Sequence, residues 1–101
     1  MMNEFEKALN ACAANPAALL CDLRDEEDYA AGHIPGAVHL RHDRLTQDIG
    51  ELADLDTPLY LYCYSGHRCA QAEVILQAMG YSAVRVLGGL DSYDGDLVEE
   101  G

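Results

Sequence analysis

The sequence predicts an α/β domain: a parallel sheet of four or five strands with helices on both faces. Three observations carry this. Short apolar runs alternate along the chain with longer stretches whose apolar residues recur at helical spacing. The runs are apolar throughout rather than on every second residue, as in strands covered on both sides. At 101 residues the chain can build one modest core and not two, so residues 1–101 are read as a single domain.

The elements follow in order. Residues 3 to about 13 form a helix with Phe5, Ala8, Leu9 and Cys12 on one face. Asn15-Pro16 stops it, because the residue before a proline resists helical geometry. Ala18 to Leu23 is a short buried strand, and Asp25 to Asp28 puts acids in the first turn of a helix that ends at Gly32. Ile34-Pro35-Gly36 is a turn and Ala37 to Leu40 a brief strand. Residues 43 to 53 form a loose helical segment around Leu45, Ile49 and Leu52. Thr57-Pro58 opens a strand that runs to Cys63. From about Arg68 a strongly amphipathic helix is expected, with Ala72, Ile75, Leu76 and Met79 on its apolar face and Gly80 as its cap. Val84 to Leu87 is the last strand, Gly88-Gly89 a turn, residues 90 to 94 a short helix, and residues 95–101 a tail expected to fray.

Composition narrows the function. Six basic against eighteen acidic residues give a formal net charge of -12. Partners that are bound by neutralising phosphate, namely nucleic acids and anionic membranes, are excluded on that ground. No apolar run approaches bilayer length, and the acidic start Met1 to Glu6 is unlike a signal peptide, so a cytoplasmic protein is expected. Cys12, Cys21, Cys63 and Cys69 lack disulfide-scaffold or zinc-ligand spacing and read as free thiols. Cys12 and Cys21 lie in apolar patterns and are expected in the core.

Cys63 is different. It sits at the C-terminal tip of a strand, ahead of the loop Tyr64-Ser65-Gly66-His67-Arg68 and the start of a helix. In open α/β sheets ligands collect at that end of the strands. Loop amides of residues 64 to 68, the helix dipole and the Arg68 charge are all expected to favour a thiolate there. Gly66 permits the tight loop, and Ser65 can hydrogen-bond to the thiolate or its adduct. Tyr64 and His67, at the loop's tip, are expected to meet substrate or solvent.

These residues resemble a known family. Cys63-Tyr64-Ser65-Gly66-His67-Arg68-Cys69 is similar to the CxxGxRS loop of rhodanese-like sulfurtransferases. Cys21 to Arg24 with Tyr29 to Ala37, and Met79-Gly80-Tyr81 with Val84 and Leu87 to Leu90, resemble two further motifs of that family, so the likeness runs over about residues 18 to 94. It implies an enzyme that moves sulfane sulfur from a small anionic donor such as thiosulfate to a thiophilic acceptor, whether cyanide, a thiol or a sulfur-accepting protein. Cys63 would carry the sulfur as a persulfide, residues 64 to 68 would hold it, and neither metal nor organic cofactor is implied. Phosphatases and arsenate reductases of the same fold have five residues between Cys and Arg; here four intervene, a ring better sized for one sulfur than for a phosphate. A sulfur carrier without turnover and an interaction module are the remaining alternatives.

The chain departs from the family in places. Cys69 stands where the family has Ser or Thr, either as an inward-packed substitute or as a redox partner that resolves an oxidised Cys63. Arg24 reads as architecture or as an anion-holding residue at the site mouth. The family's short first strand is not evident, which points to four strands and an edge that is bare or covered by another chain.

Overall fold

The computed structural model describes residues 2–99. Asn3 starts the first helix, α1 (Glu4–Ala13), through a reciprocal cap. Its side chain accepts the Glu6 N–H at 2.8 Å while the Glu6 carboxylate accepts the Asn3 N–H at 3.3 Å, an arrangement worth about 1 kcal/mol. Phe5, Ala8 and Cys12 are buried along one face, as their spacing requires.

Four strands follow, β1 (Leu19–Asp22), β2 (Val38–His39), β3 (Leu59–Cys63) and β4 (Val84–Gly89), interleaved with α2 (Glu26–Ala31), α3 (Leu45–Leu52) and α4 (His67–Ala78). All strand pairs are parallel and the order is β2-β1-β3-β4, so among the described residues the sheet has four strands. The chain moves outward in one direction from β1 and in the other from β3. Their adjacent C-terminal ends therefore form the crevice where α/β folds hold ligands.

Side-chain alternation divides the core in two. Leu20, Tyr62 and Leu87 meet Phe5, Ala8 and Cys12 of α1. Cys21, Leu59, Leu61 and Cys63 face the opposite way, onto Leu45 and Ile49 of α3 and Cys69, Ala72 and Leu76 of α4. Cys63 falls on the α4 side because it is in phase with Leu59 and Leu61.

Three expectations need correction. The buried face of α4 is Cys69, Ala72 and Leu76, while Ile75, Met79 and Val74 are exposed. One face of a sheet already covered by α3 leaves room for only a narrow stripe of α4, so the helix is not strongly amphipathic. It closes as expected at Gly80, with Tyr81 N–H bonded to Leu76 O and Gly80 N–H to Gln77 O. Gly88-Gly89 is no turn: both residues extend β4, paired with Tyr62 and Cys63 beyond a register shift. The C-terminal segment does not fray as far as it is described. His33 and Val98 exchange both backbone hydrogen bonds, at 3.0 and 2.8 Å, and Leu97 lies against Gly32. Residues 100 and 101 of the expected tail lie outside the described residues. Among the described residues no helix is long and apolar enough to cross a membrane.

Candidate active site

The site begins where β3 runs out. Tyr64 and Ser65 turn into solvent, and Gly66 caps α4 with φ at +88°, a left-handed conformation that costs other residues about 1 kcal/mol or more. That turn aims the Gly66 N–H back at Cys63, whose Sγ accepts it at 3.0 Å. Gly89 makes the loop possible from the other side. A Cβ there would lie 2.6 Å from the Tyr64 carbonyl oxygen and 2.8 Å from Asp91 Oδ1, so only a bare backbone lets β4 pass under the loop.

Cys63 is 0 % exposed, and burial by itself would hold its proton on. The opposite occurs: the thiol falls from 9.0 to about 6. The largest cause is the neighbouring Cys69 side chain, and the backbone N–H groups of Cys69, Gly66 and Ser65 add to it against the cost of burial. These amides belong to the loop and to the first turn of α4, where N–H groups lack helical partners. The Cys69 thiol, also 0 % exposed, is pushed far up by the neighbouring Cys63 and by burial. Of the two thiols, Cys63 is the one shifted toward the anion.

The remaining predicted residues are distributed as follows. Tyr64 is 66 % exposed, and Ser65 and His67 also face solvent beside it. Arg68 is at the right place on the chain, but its guanidinium leans out to Asp25, with Nη1 3.5 Å from Oδ1, and amides rather than this cation surround the sulfur. Arg24 is buried and committed to architecture. Its Nε and Nη2 bond both Asp22 oxygens, and Nη2 also reaches Gly32 O. Tyr62 Oη completes the arrangement by donating to Asp22 Oδ2 at 2.8 Å and accepting the Ile34 N–H. This network ties β1, β3 and the turn after α2 into one rigid wall behind the loop. Arg24 still borders a depression of about 400 Å³ with Tyr64, Leu90, Asp91 and Leu97 beside the loop.

Two contributors, Gly89 and Asp25, escaped the sequence reading. Gly89 could have been suspected from a glycine pair at a strand end. Asp25, which engages Arg68, had no signal, because the two are 43 positions apart in the chain and meet only through β1 and β3 being neighbours. Cys69, expected as an inward-packed substitute or a redox partner, is buried in the same core cluster as Cys63.

Comparison with known proteins agrees with this geometry. A family model described as "Rhodanese-like domain" matches residues 1–96. The "Thiosulfate sulfurtransferase GlpE" of Stutzerimonas stutzeri (strain A1501) is 41% identical over 75 residues, covering 74% of this chain and 68% of that protein. The protein of the same description in Pseudomonas fluorescens (strain SBW25) is 40% identical over 72 residues, 71% of this chain and 65% of that one. The chain thus spans about two thirds of the length of these relatives. Among solved structures, "rhodanese with anions from E. coli" superposes with a TM-score of 0.76 at 28% identity, covering 82% of this chain and 99% of that one.

Proposed function

The chain belongs to the rhodanese-like domain family, and from that premise we propose that it is a thiosulfate sulfurtransferase whose Cys63 carries the sulfur. The observation behind this reading is a buried thiol at the C-terminal tip of β3 whose Sγ accepts the Gly66 N–H at 3.0 Å and whose pKa is lowered to about 6. A thiolate is the nucleophilic form of cysteine, and the lowered pKa of Cys63 favours that form at neutral pH.

The first half-reaction is attack of the Cys63 thiolate on the outer sulfur of thiosulfate. A new S–S bond forms, the bond from that sulfur to the sulfonate breaks, and sulfite leaves with the electron pair. The persulfide keeps the single negative charge the thiolate had. In the second half-reaction a thiophilic acceptor attacks the outer sulfur and restores the thiolate, so ping-pong kinetics follow. The inward-facing amides of Ser65, Gly66 and Cys69 stabilise anionic sulfur at both stages. Tyr64 and His67 stand where the donor and acceptor arrive, and Arg68 can exchange Asp25 for the incoming anion. Four free thiols suit the reducing cytoplasm, where we place the activity.

Intact-mass spectrometry after thiosulfate treatment tests the reading. The expected result is a gain of about 32 Da, one sulfur atom, that is removed by cyanide and absent from Cys63→Ala. A chain that takes up no sulfur from thiosulfate or any persulfide donor would instead be an interaction module. A second reading draws on the complete burial of Cys63, since a donor meets the loop before it meets the thiolate. The chain would then act as a carrier loaded by a partner protein. Sulfur uptake without steady-state turnover of thiosulfate and cyanide would select it.

A further inference from the structure

We propose that the depression beside the active-site loop seats the sulfur acceptor, and that Leu97 selects there for an uncharged thiol with an apolar body. The proposal deepens the sulfurtransferase reading and rests on it for the word acceptor. The seat itself is a matter of shape and charge.

The depression, of about 400 Å³, is lined by Arg24, Tyr64, Leu90, Asp91 and Leu97. It lies at the end of the sheet where the nucleophile stands. Tyr64 follows Cys63 directly, and Leu90 follows Gly89, the residue of β4 paired with Cys63. The volume is that of a small-molecule site.

Leu97 reaches this place from the far end of the chain and is held on both sides. Before it, Tyr93 Oη donates to the Asp96 carbonyl at 2.8 Å, and Gly95 lets the backbone cross the Tyr93 ring, where a Cβ would collide. After it, Val98 and His33 exchange their backbone hydrogen bonds. His33 is itself fixed, with Nδ1 2.8 Å from the Tyr29 carbonyl oxygen and its ring stacked on Tyr29 at 3.9 Å. Gly32 leaves the leucine its room, since a Cβ there would sit 3.3 Å from Leu97 Cδ1. A lone exposed leucine means little. One pinned at both neighbours, still 44 % exposed, and set beside exposed Tyr64 and half-buried Leu90 makes a wall.

The charges of the lining choose the ligand. Arg24 is spoken for, because its guanidinium bonds both Asp22 oxygens and Gly32 O. Asp91 takes part in none of the ion pairs among the described residues. On a chain of net charge -12 that carboxylate turns anionic thiols away. An apolar body gains by covering Tyr64, Leu90 and Leu97. Arg68, the cation that can meet the anionic donor, does not line this depression, so donor and acceptor are recognised by different groups. In the transfer the acceptor thiol first gives its proton to water. Its sulfur then bonds to the outer sulfur of the Cys63 persulfide, the bond from that sulfur to Sγ breaks, and the electron pair returns to Sγ. The acceptor departs as a persulfide anion, and no oxidant or reductant is consumed.

Two measurements on the intact chain test this. The first needs no sulfur: benzyl alcohol, which has the apolar body and cannot accept sulfur, is titrated into isotope-labelled protein and followed by NMR. Saturable shifts of the Leu90 and Leu97 methyl signals are expected, and their absence overturns the proposal. The second compares the rate constants with which benzyl mercaptan and cyanide discharge the sulfur-loaded chain, cyanide being too small to span the walls. Leu97→Ala should lower the ratio of the thiol rate to the cyanide rate about five- to tenfold, the worth of one or two lost methylene contacts, and Leu97→Met should restore it. A ratio that stays put, whether both rates fall together or neither does, overturns the role of Leu97. Asp91→Asn should speed discharge by mercaptoacetate about threefold relative to benzyl mercaptan, and equal effects on the two thiols overturn the charge selection. Should Leu97→Ala fail to fold, the benzyl alcohol titration decides alone. A chain that binds benzyl alcohol here yet takes up no sulfur counts against the sulfurtransferase reading and not against the seat.

Discussion

Cys21 and Cys63 are near twins by position and opposites by chemistry. They lie on neighbouring parallel strands, on the same face of the sheet, in the same cluster, and both are 0 % exposed. Yet burial, helped by the nearby Cys12 and Asp22, pushes Cys21 up to about 12, while Cys63 drops to about 6. Cys21 is inside its strand, where neighbouring N–H groups are taken by the sheet ladder. Cys63 is the last residue of its strand, where the loop and the first turn of α4 have N–H groups to spare. Depth in the protein does not make a cysteine inert. What decides is whether unpaired donors converge on the sulfur.

The contrast is broken most severely by exchanging the two thiols for alanine. Cys63→Ala should lower sulfur transfer by at least about 10⁴-fold, whereas Cys21→Ala should leave kcat/KM unchanged and cost about 1–2 kcal/mol in urea unfolding. Equal loss of activity in both variants would mean that position on the strand carries no chemical meaning. The wall behind the loop comes next. Asp22→Ala strands a buried Arg24 guanidinium, and unfolding free energy should fall by about 3–5 kcal/mol. Gly89→Ala should displace the Tyr64–Ser65 backbone and reduce kcat/KM by about 10²-fold, with a much smaller effect on the urea midpoint.

pH sharpens the same contrast with opposite signs. The Cys63 pKa is depressed on folding, so its contribution to stability is present above 9.0 and is lost as pH falls toward 6. The Cys21 pKa is raised, so its contribution is present below 9.0 and is lost as pH climbs toward 12. Denaturant titrations across that range should show Cys21→Ala flattening the alkaline limb and Cys63→Ala flattening the limb from 9.0 down to about 6. The smallest effect belongs to the site's rim. Asp25→Asn releases Arg68, and the thiosulfate KM should fall by at most about fivefold, the range expected for an exposed ion pair.

The order of elements, the inward face of α1, the strand ending in Cys63 and the left-handed Gly66 were all legible in the sequence. Each depends on residues within one turn or one strand of each other, where apolar period and backbone sterics act locally. The Gly66 amide on the Cys63 sulfur was legible too, but the partners of the two arginines were not. Arg68, adjacent to the loop in sequence, turned to Asp25 from the next strand's loop, and Arg24 was absorbed by Asp22 and Gly32. The C-terminal segment came to pair with His33, and α4 buried a narrower stripe than its apolar residues suggested.

The chain alone determined that a cysteine would stand at the mouth of a parallel sheet with a tight loop and a helix start behind it. The same reading singled out Cys63 among the four thiols, and tertiary structure decided which groups surround its sulfur. The physical reason is that periodicity specifies faces and ends. A hydrogen bond to a buried sulfur needs a direction, set only when β3, β4 and α4 are packed together.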